Sequence, residues 1–113
     1  MPLIYKIATA AEWSEAKSSG RYIGAPVDKA DGFIHFSTVE TVRETAAKHF
    51  TGQQGLILAA LNADALGPDL KWEVSRGGAL FPHLYRIMEM HEVLWAKPLP
   101  LRDGVHDFTG LLP

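Results

Sequence analysis

A continuous apolar run in the middle of the chain, Leu56 to Leu61, constrains the fold more than any other feature of the sequence. No polar residue alternates with the apolar ones, so the run does not fit a strand with one face in water. We therefore predict a central strand buried on both faces, with the other elements built around it.

The first residues predict a strand followed by a helix. Leu3 to Ile7 combines apolar, aromatic and β-branched residues, a composition typical of strands. Thr9 and Glu12 have the spacing of a capping box, in which each satisfies a backbone amide at the start of a helix. The helix is predicted to reach about residue 18, with Gly20 as its left-handed end.

The next segment predicts a loop, a strand and a second helix. The residues from 22 to 31 include Gly, Pro and Asp and are interpreted as a loop. Phe33 to Ser37 predicts a strand that carries His35 and Ser37 on the same face. Ser37 and Glu40 repeat the capping-box spacing, which predicts that this strand passes directly into a helix ending at Gly52.

The second half of the chain predicts mostly strands. Leu70 to Val74 is one, with Trp72 assigned to the core, and residues 93 to 96 are another. Leu80 to Tyr85 is a third, placed either at a sheet edge or at a bent entry into a strand, because Pro82 has no amide to donate and fixes its own φ. This order of elements predicts an α+β fold: one domain over residues 1–113, with small antiparallel sheets and two helices in the N-terminal half.

Composition limits the possible partners. The chain has 113 residues, a formal net charge of −2 and 21% charged residues. Duplex nucleic acid is not expected as a partner, because its binding depends on dense Lys and Arg surfaces. The N-terminal residues have neither the length nor the charge pattern of a signal peptide or a membrane span, so no membrane association is expected. A monomer is the default expectation for such a short chain.

Cysteine is absent, which excludes disulfides, thiolate metal sites and thiol catalysis and fits a cytoplasmic location. The histidines are scattered without the helical spacing of metal ligands, so no metal site is predicted. The sequence also lacks the glycine-rich signatures of dinucleotide, P-loop and hydrolase sites.

His35, Ser37 and Thr38 form a first candidate site where the second strand meets the second helix. Amides at a helix start attract anions, and a histidine on the same strand face can donate to a ribose or phosphate oxygen. The alternative for Ser37 is a purely structural role as helix cap. For His35 it is a buried polar group that is satisfied by the protein.

His83 and Tyr85 form a second candidate site, since residues two apart on a strand point to the same side. Together they offer a hydrogen-bond donor, an acceptor and an aromatic face for a nucleobase, a ribose or a carbonyl compound. A packing pair is the alternative. Glu73 and Arg76 are weaker candidates, either for acid–base and ribose contacts or for a solvated ion pair.

Several motifs together resemble a bacterial family, the domain of unknown function 952, over nearly the whole chain. The motifs are Ile4 to Ile7, Trp13, Asp31 to Ser37, Trp72–Glu73 and Phe81 to Tyr85. The resemblance implies an ADP-ribosyltransferase-like fold, in which small split antiparallel sheets surround a cleft for NAD.

The layout is similar to that of the tRNA 2′-phosphotransferases within this fold group. Residues 34 to 37 match the strand that reads roughly His-Leu-Ser in those enzymes. Lys6 stands where they place the histidine that holds the NAD ribose, and Glu73 is not securely aligned with the glutamate of many transferases. These two departures weaken the case for transfer chemistry more than the case for ligand binding.

The resemblance implies a ligand such as NAD, ADP-ribose or a related phosphorylated nucleotide, with NAD as a substrate and no resident cofactor. His35 and His83 are the predicted catalytic residues in ADP-ribosyl or 2′-phosphate transfer. The predicted ligand contacts are Lys6, Ser37, Thr38, Glu73, Arg76 and Tyr85. The alternatives are a non-catalytic metabolite-binding or regulatory module, and a domain in which these side chains only satisfy one another.

Overall fold

The computed structural model describes residues 2–113, except for the side chain of Arg76. Its helices are α1 (Ala10–Ser19), α2 (Pro26–Asp31) and α3 (Val42–His49). Its strands are β1 (Leu3–Thr9), β2 (Arg21–Tyr22), β3 (Ile34–His35), β4 (Leu56–Asn62), β5 (Leu70–Val74), β6 (Leu80–Leu84), β7 (Met88–Glu89), β8 (Val93–Leu99), β9 (Leu101–Arg102) and β10 (Val105–His106). Short 3₁₀ segments cover Ala63–Asp69, Arg76–Gly78 and Met90–Glu92.

The apolar run forms β4, the middle strand of an antiparallel sheet with the order β1-β4-β8. Leu58 to Leu61 are fully buried, because this strand is covered on both faces. The prediction of a central buried strand is therefore confirmed.

A second antiparallel sheet has the order β3-β6-β5 and meets the first sheet at one point. The Tyr5 amide donates to the Ser37 carbonyl over 2.8 Å, and the Ser37 amide donates to the Tyr5 carbonyl over the same distance. Beyond this bridge the two sheets are not paired in the described part of the chain. The remaining strands form the two-stranded pairs β2-β7 and β9-β10.

Each face of the first sheet carries its own apolar core. On one face, Ile4 and Ala8 pack with Trp13 of α1, with Tyr22 and with residues of the second sheet. On the other face, Tyr5 and Ile7 pack with α3 and with Phe108 near the C-terminus. Alternation along β1 thus supplies both cores from one strand.

Helix α1 begins and ends as the sequence predicts. The Thr9 hydroxyl accepts from the Glu12 amide and the Glu12 carboxylate accepts from the Thr9 amide, both over 3.1 Å. Gly20 closes the helix with φ of 83°. The predicted capping box and left-handed end are confirmed.

Two predictions about the N-terminal half are wrong. Residues 26 to 31, predicted as loop, form helix α2 with Pro26 at its start, so this half has three α-helices and not two. Ser37 is not the cap of α3, because a turn separates β3 from Val42. The Val42 amide donates instead to the Thr38 carbonyl, and the Ser37 hydroxyl donates to Thr45.

Two predictions about the C-terminal half are also wrong. Trp72 is 42% exposed and lies outside the core, although Leu70, two residues away on the same strand face, packs against the core. Pro82 lies in β6, the middle strand of its sheet and not an edge. The Phe36 amide donates to the Pro82 carbonyl, but Pro82 has no amide to return the bond, and β3 ends one residue earlier, at His35.

The fold is α+β with several small antiparallel sheets, as the sequence predicts. Within residues 2–113, no helix is long and apolar enough to cross a membrane.

Candidate functional site

A cleft of about 590 Å³ lies where the two sheets separate beyond the Tyr5–Ser37 bridge. One wall is β1 from Tyr5 to Thr9, and α2 and His35 contribute to the opposite wall. The cleft has the size of a typical small-molecule site. Side chains from both predicted histidine motifs, His35 and His83, line it.

Asp28 of α2 organises one side of this cleft. Its Oδ2 accepts from the Lys6 amine over 2.9 Å and from the Ala25 amide over 2.8 Å. Its Oδ1 accepts from the His35 amide over 3.1 Å and lies 2.6 Å from Nδ1 of His35. The Lys6 amine also donates to the His35 carbonyl over 2.9 Å. One buried carboxylate therefore connects β1, α2 and β3.

The pKa values of this buried pair reflect opposing effects. Burial alone would raise the pKa of Asp28, but the hydrogen bond from His35 and the charge of Lys6 outweigh it and hold that pKa at about 2. Burial lowers the pKa of Lys6, and the neighbouring Asp28 opposes that change. Asp28 is therefore a fixed negative charge at neutral pH and does not act as a proton donor.

His35 is bonded on both ring nitrogens. Its Nδ1 faces Asp28, and its Nε2 lies 3.0 Å from Oδ2 of Asp31. Carboxylates only accept hydrogen bonds, so both bonds form together only when the ring carries two N–H groups. The ring is thus held in a fixed orientation at the cleft.

His83 is held differently. Its Nδ1 lies 2.8 Å from Oε1 of Glu73, and the same oxygen accepts from the Tyr85 hydroxyl over 2.7 Å. Both hydrogen bonds lower the pKa of Glu73, and the one from Tyr85 has the larger effect. Among the described residues, none bonds to Nε2 of His83. The carboxylate therefore fixes the ring and leaves the second nitrogen available to a ligand.

An aromatic cluster joins the two histidines. The Phe33 ring stacks on His83 with a centroid distance of 4.2 Å and lies 4.6 Å from the His35 ring and 5.1 Å from the Tyr85 ring. The His35 and His83 rings are 5.4 Å apart. Phe33 packs between the side chains of His35, His83 and Tyr85 and fixes the positions of their rings relative to one another.

The backbone of β1 also faces the cleft. Tyr5 uses its outward-facing amide and carbonyl in the bridge to Ser37. Strand alternation directs the amide and carbonyl of Ile7 to the same edge. In the described part of the chain, neither group has a hydrogen-bond partner. They offer a donor and an acceptor side by side in the cleft wall.

The structure brings together only part of the predicted set. Lys6, His35, Ser37 and His83 line the cleft, whereas Thr38, Glu73 and Tyr85 lie outside its lining. Glu73 and Tyr85 reach it through their contacts with His83. The prediction for the Arg76 side chain lies outside the described residues. No group of three or more described His, Asp or Glu side chains is arranged to hold a metal ion.

The sequence does not single out Asp28, because the composition of residues 22 to 31 indicates a loop. A signal was present in Lys6, a charged residue within the apolar strand Leu3 to Ile7. A buried amine needs a carboxylate partner from elsewhere in the chain. Pro26 at the start of α2 was a second signal, since proline favours the first turn of a helix.

Comparison with known families gives a match to the family described as Protein of unknown function (DUF952), over residues 7–96. The chain belongs to this family. The DUF952 match includes Asp28, His35 and His83. A comparison with curated proteins finds no match.

Solved structures of one DUF952-like protein share the fold. The crystal structure of CC0527 from Caulobacter crescentus, a structural genomics target, is 56% identical, covers 95% of each chain and has a TM-score of 0.92. The solution NMR structure of CC0527 is 55% identical, covers 99% of this chain and 97% of that one, and has a TM-score of 0.88. A double mutant of CC0527 is 54% identical, covers 95% of each chain and has a TM-score of 0.91. These three structures support the fold and do not indicate a function.

Proposed function

We propose that the cleft binds a nucleotide-derived small molecule of the NAD or ADP-ribose class, and that His83 acts on it as a proton acceptor. The observation that carries this proposal is the Glu73–His83 pair beside a cleft of about 590 Å³, in which Nε2 of His83 has no partner among the described residues. The ADP-ribosyltransferase-like grouping implied by the sequence motifs points to the same ligand class.

The chemistry of the pair suits proton transfer. Hydrogen bonding of Nδ1–H to Glu73 leaves the lone pair on Nε2, the tautomer that a general base requires. Tyr85 donates to the same carboxylate oxygen and orients it. For 2′-phosphate transfer, a ribose hydroxyl placed at Nε2 would lose its proton to His83 as its oxygen bonds to phosphorus, and the bond from phosphorus to the original 2′-oxygen would break, with that oxygen leaving as a hydroxyl after it takes up a proton. For ADP-ribosyl transfer, an acceptor hydroxyl at Nε2 would lose its proton to His83 as its oxygen bonds to C1 of the NAD ribose, and the bond from C1 to nicotinamide would break. ADP-ribosyl or 2′-phosphate transfer is the corresponding reaction class.

The cleft offers matching contacts for other parts of such a ligand. The free amide and carbonyl of Ile7 suit an amide group or a base edge, each of which has a donor beside an acceptor. Glu12, Asp28 and Asp31 make one part of the lining acidic, and Lys6 is already paired with Asp28. A phosphate is therefore expected away from these carboxylates.

The experiment is an amide NMR titration of the labelled protein with NAD, ADP-ribose and a nucleoside 2′-phosphate. We expect saturable shifts confined to residues 5–9, 33–38 and 81–86. The titration is repeated with His83→Gln and with His91→Gln. Because His91 is exposed and lies away from the cleft, the comparison distinguishes loss of the Glu73–His83 pair from a general effect of removing a histidine. No saturable shift in the wild-type protein with any of the three compounds would refute the proposal.

One observation favours a second function, a binding module without turnover. Lys6 and both ring nitrogens of His35 are already bonded to carboxylates of the protein. With both ring nitrogens bonded to protein carboxylates, His35 has neither nitrogen left for a ligand. Chromatography of a bound dinucleotide after incubation distinguishes the two functions, since conversion supports catalysis and an intact bound compound supports the module.

A further inference from the structure

The outer edge of β5 is an unpaired strand edge with apolar side chains. The Ser75 amide donates to the Ala79 carbonyl and the Tyr85 amide donates to the Asp69 carbonyl, which directs the odd-numbered residues of this strand toward β6. The amides and carbonyls of Trp72 and Val74 therefore point outward. In the described residues, β5 has β6 as its sole strand partner.

The side chains at this edge are exposed and apolar. Trp72 is 42% exposed, Val74 is 70% exposed and Leu80, directly opposite Val74, is 53% exposed. Native proteins usually protect such an edge with charged side chains, a proline, a bulge or a cover. The charged residues of β5 are Lys71 and Glu73, which are of opposite sign. The outer strand β8 contains Pro98, whereas β5 has no proline and pairs with β6 without a bulge.

We propose that a second copy of this chain pairs with β5 in antiparallel orientation, with the two-fold axis at Trp72. The outward backbone groups of Trp72 then bond to those of Trp72 in the second copy. Val74 donates to the carbonyl of Leu70 of the second copy, and the two three-stranded sheets become one of six strands. The short chain and low charge predict a monomer, but the free edge favours a dimer.

The charges along β5 select this register. With the axis at Trp72, Lys71 of each copy lies opposite Glu73 of the other, on the face away from the tryptophans. A shift of two residues places either two Lys71 side chains or two Glu73 side chains opposite each other. A shift of one residue places the outward backbone groups of one copy opposite residues of the other copy whose amides and carbonyls already bond to β6. The strand is therefore self-complementary in a single register.

The same pairing connects the edge to the cleft. Oε1 of Glu73 accepts from His83 and Tyr85, so Lys71 of the second copy would bring a cation next to the carboxylate that orients His83. A dimer would add positive charge close to a site whose own lysine, Lys6, is paired with Asp28. The proposed interface forms independently of what the cleft binds.

The test is sedimentation velocity over a range of concentrations for wild type, Lys71→Glu and the control Lys97→Glu, which makes the same charge change on an exposed lysine of β8. We expect a wild-type dimer. Lys71→Glu should raise its dissociation constant at least about tenfold, because it replaces both cross-strand ion pairs with like-charge contacts. Lys97→Glu should leave the constant unchanged.

Hydrogen exchange of the wild-type protein gives a second measurement that does not depend on a variant folding. The amides of Trp72 and Val74 should gain protection as the concentration rises. A wild-type monomer at every concentration would overturn the proposal. A dimer that survives Lys71→Glu and leaves these two amides unprotected would also overturn it, because the interface would then lie elsewhere.

Discussion

Asp28 is the residue on which the geometry of the cleft depends most. It is 2% exposed and accepts hydrogen bonds from three segments of the chain. The side chains of Lys6 and His35 are both oriented by it. A buried charge pair of this kind contributes little net stability over an apolar pair, but removal of one partner leaves the other charge uncompensated.

Asp28→Asn should lower the free energy of unfolding by about 3 kcal/mol, because the Lys6 amine remains buried without its counter-charge. Urea unfolding followed by circular dichroism measures the loss. Asp64→Asn, at an exposed position, is the matched control and should change stability by less than about 0.5 kcal/mol. Equal stability of the two variants would show that the ion pair is not important for folding.

Asp28 also predicts a pH dependence. Its pKa is lowered from 3.8 to about 2 in the folded protein, so the folded state binds this proton less readily than the unfolded state. The stability from Asp28 is therefore present above pH 4 or so and is lost as the pH falls toward about 2. The loss amounts to about 2 kcal/mol. Urea unfolding at several pH values should show it in wild type, and Asp28→Asn should lack this part of the slope.

At the scale of elements, helix α2 depends on close contact between Gly24 and Asp28. Gly24 has φ of 105°, and a Cβ there would lie 2.8 Å from Cβ of Asp28. Only glycine allows the chain to turn into α2 while Asp28 remains in place. The backbone conformation at Gly24 is therefore linked to the position of the Lys6–Asp28 ion pair.

Gly24→Ala should destabilise the protein by about 2–3 kcal/mol, since it adds a steric clash to an unfavourable backbone conformation. Gly32→Ala is the matched control, because Gly32 also has a positive φ of 84° but meets nothing within 4 Å. The control should cost about 1 kcal/mol. Thermal unfolding of both variants measures the difference, and equal losses would remove the role assigned to the contact.

Some elements of the fold can be predicted from the sequence and others cannot. The buried strand β4 and the capped helix α1 were predictable because an apolar run and a capping box are local signals. The helix α2 was not, because its residues also have the composition of a loop. The position of Pro82 inside a sheet was not predictable either, since it depends on β3 ending where the missing amide falls.

At the scale of the whole molecule, one sheet supports both apolar cores. The strands β1 and β4 contribute alternate residues to each face, so neither core can form without them. The cleft itself depends on two sheets that meet at the Tyr5–Ser37 bridge and then separate. Pairing between distant strands has no local signal in the sequence. The sequence therefore indicates His35 and His83 as candidate site residues, but it does not indicate the cleft wall to which Asp28 contributes.

The shared sheet predicts that the two cores unfold together. Trp13 lies in one core and Trp95 packs against the other. In variants that retain only one of these two tryptophans, with the remaining tryptophans changed to Phe, the fluorescence and circular dichroism transitions in urea should coincide. Separate transitions for one of the two reporters would show that the cores are independent and that residues 1–113 are not one cooperative domain.

The central claim is that His83, held by Glu73, contacts a nucleotide-derived ligand in the cleft. Isothermal titration of wild type, His83→Gln and His91→Gln with the compound that gives the strongest NMR shifts tests it most directly. We predict at least about a tenfold loss of affinity for His83→Gln, or about 1.4 kcal/mol, and none for His91→Gln. Equal affinity of all three proteins would contradict the claim, because the ligand would then bind without His83.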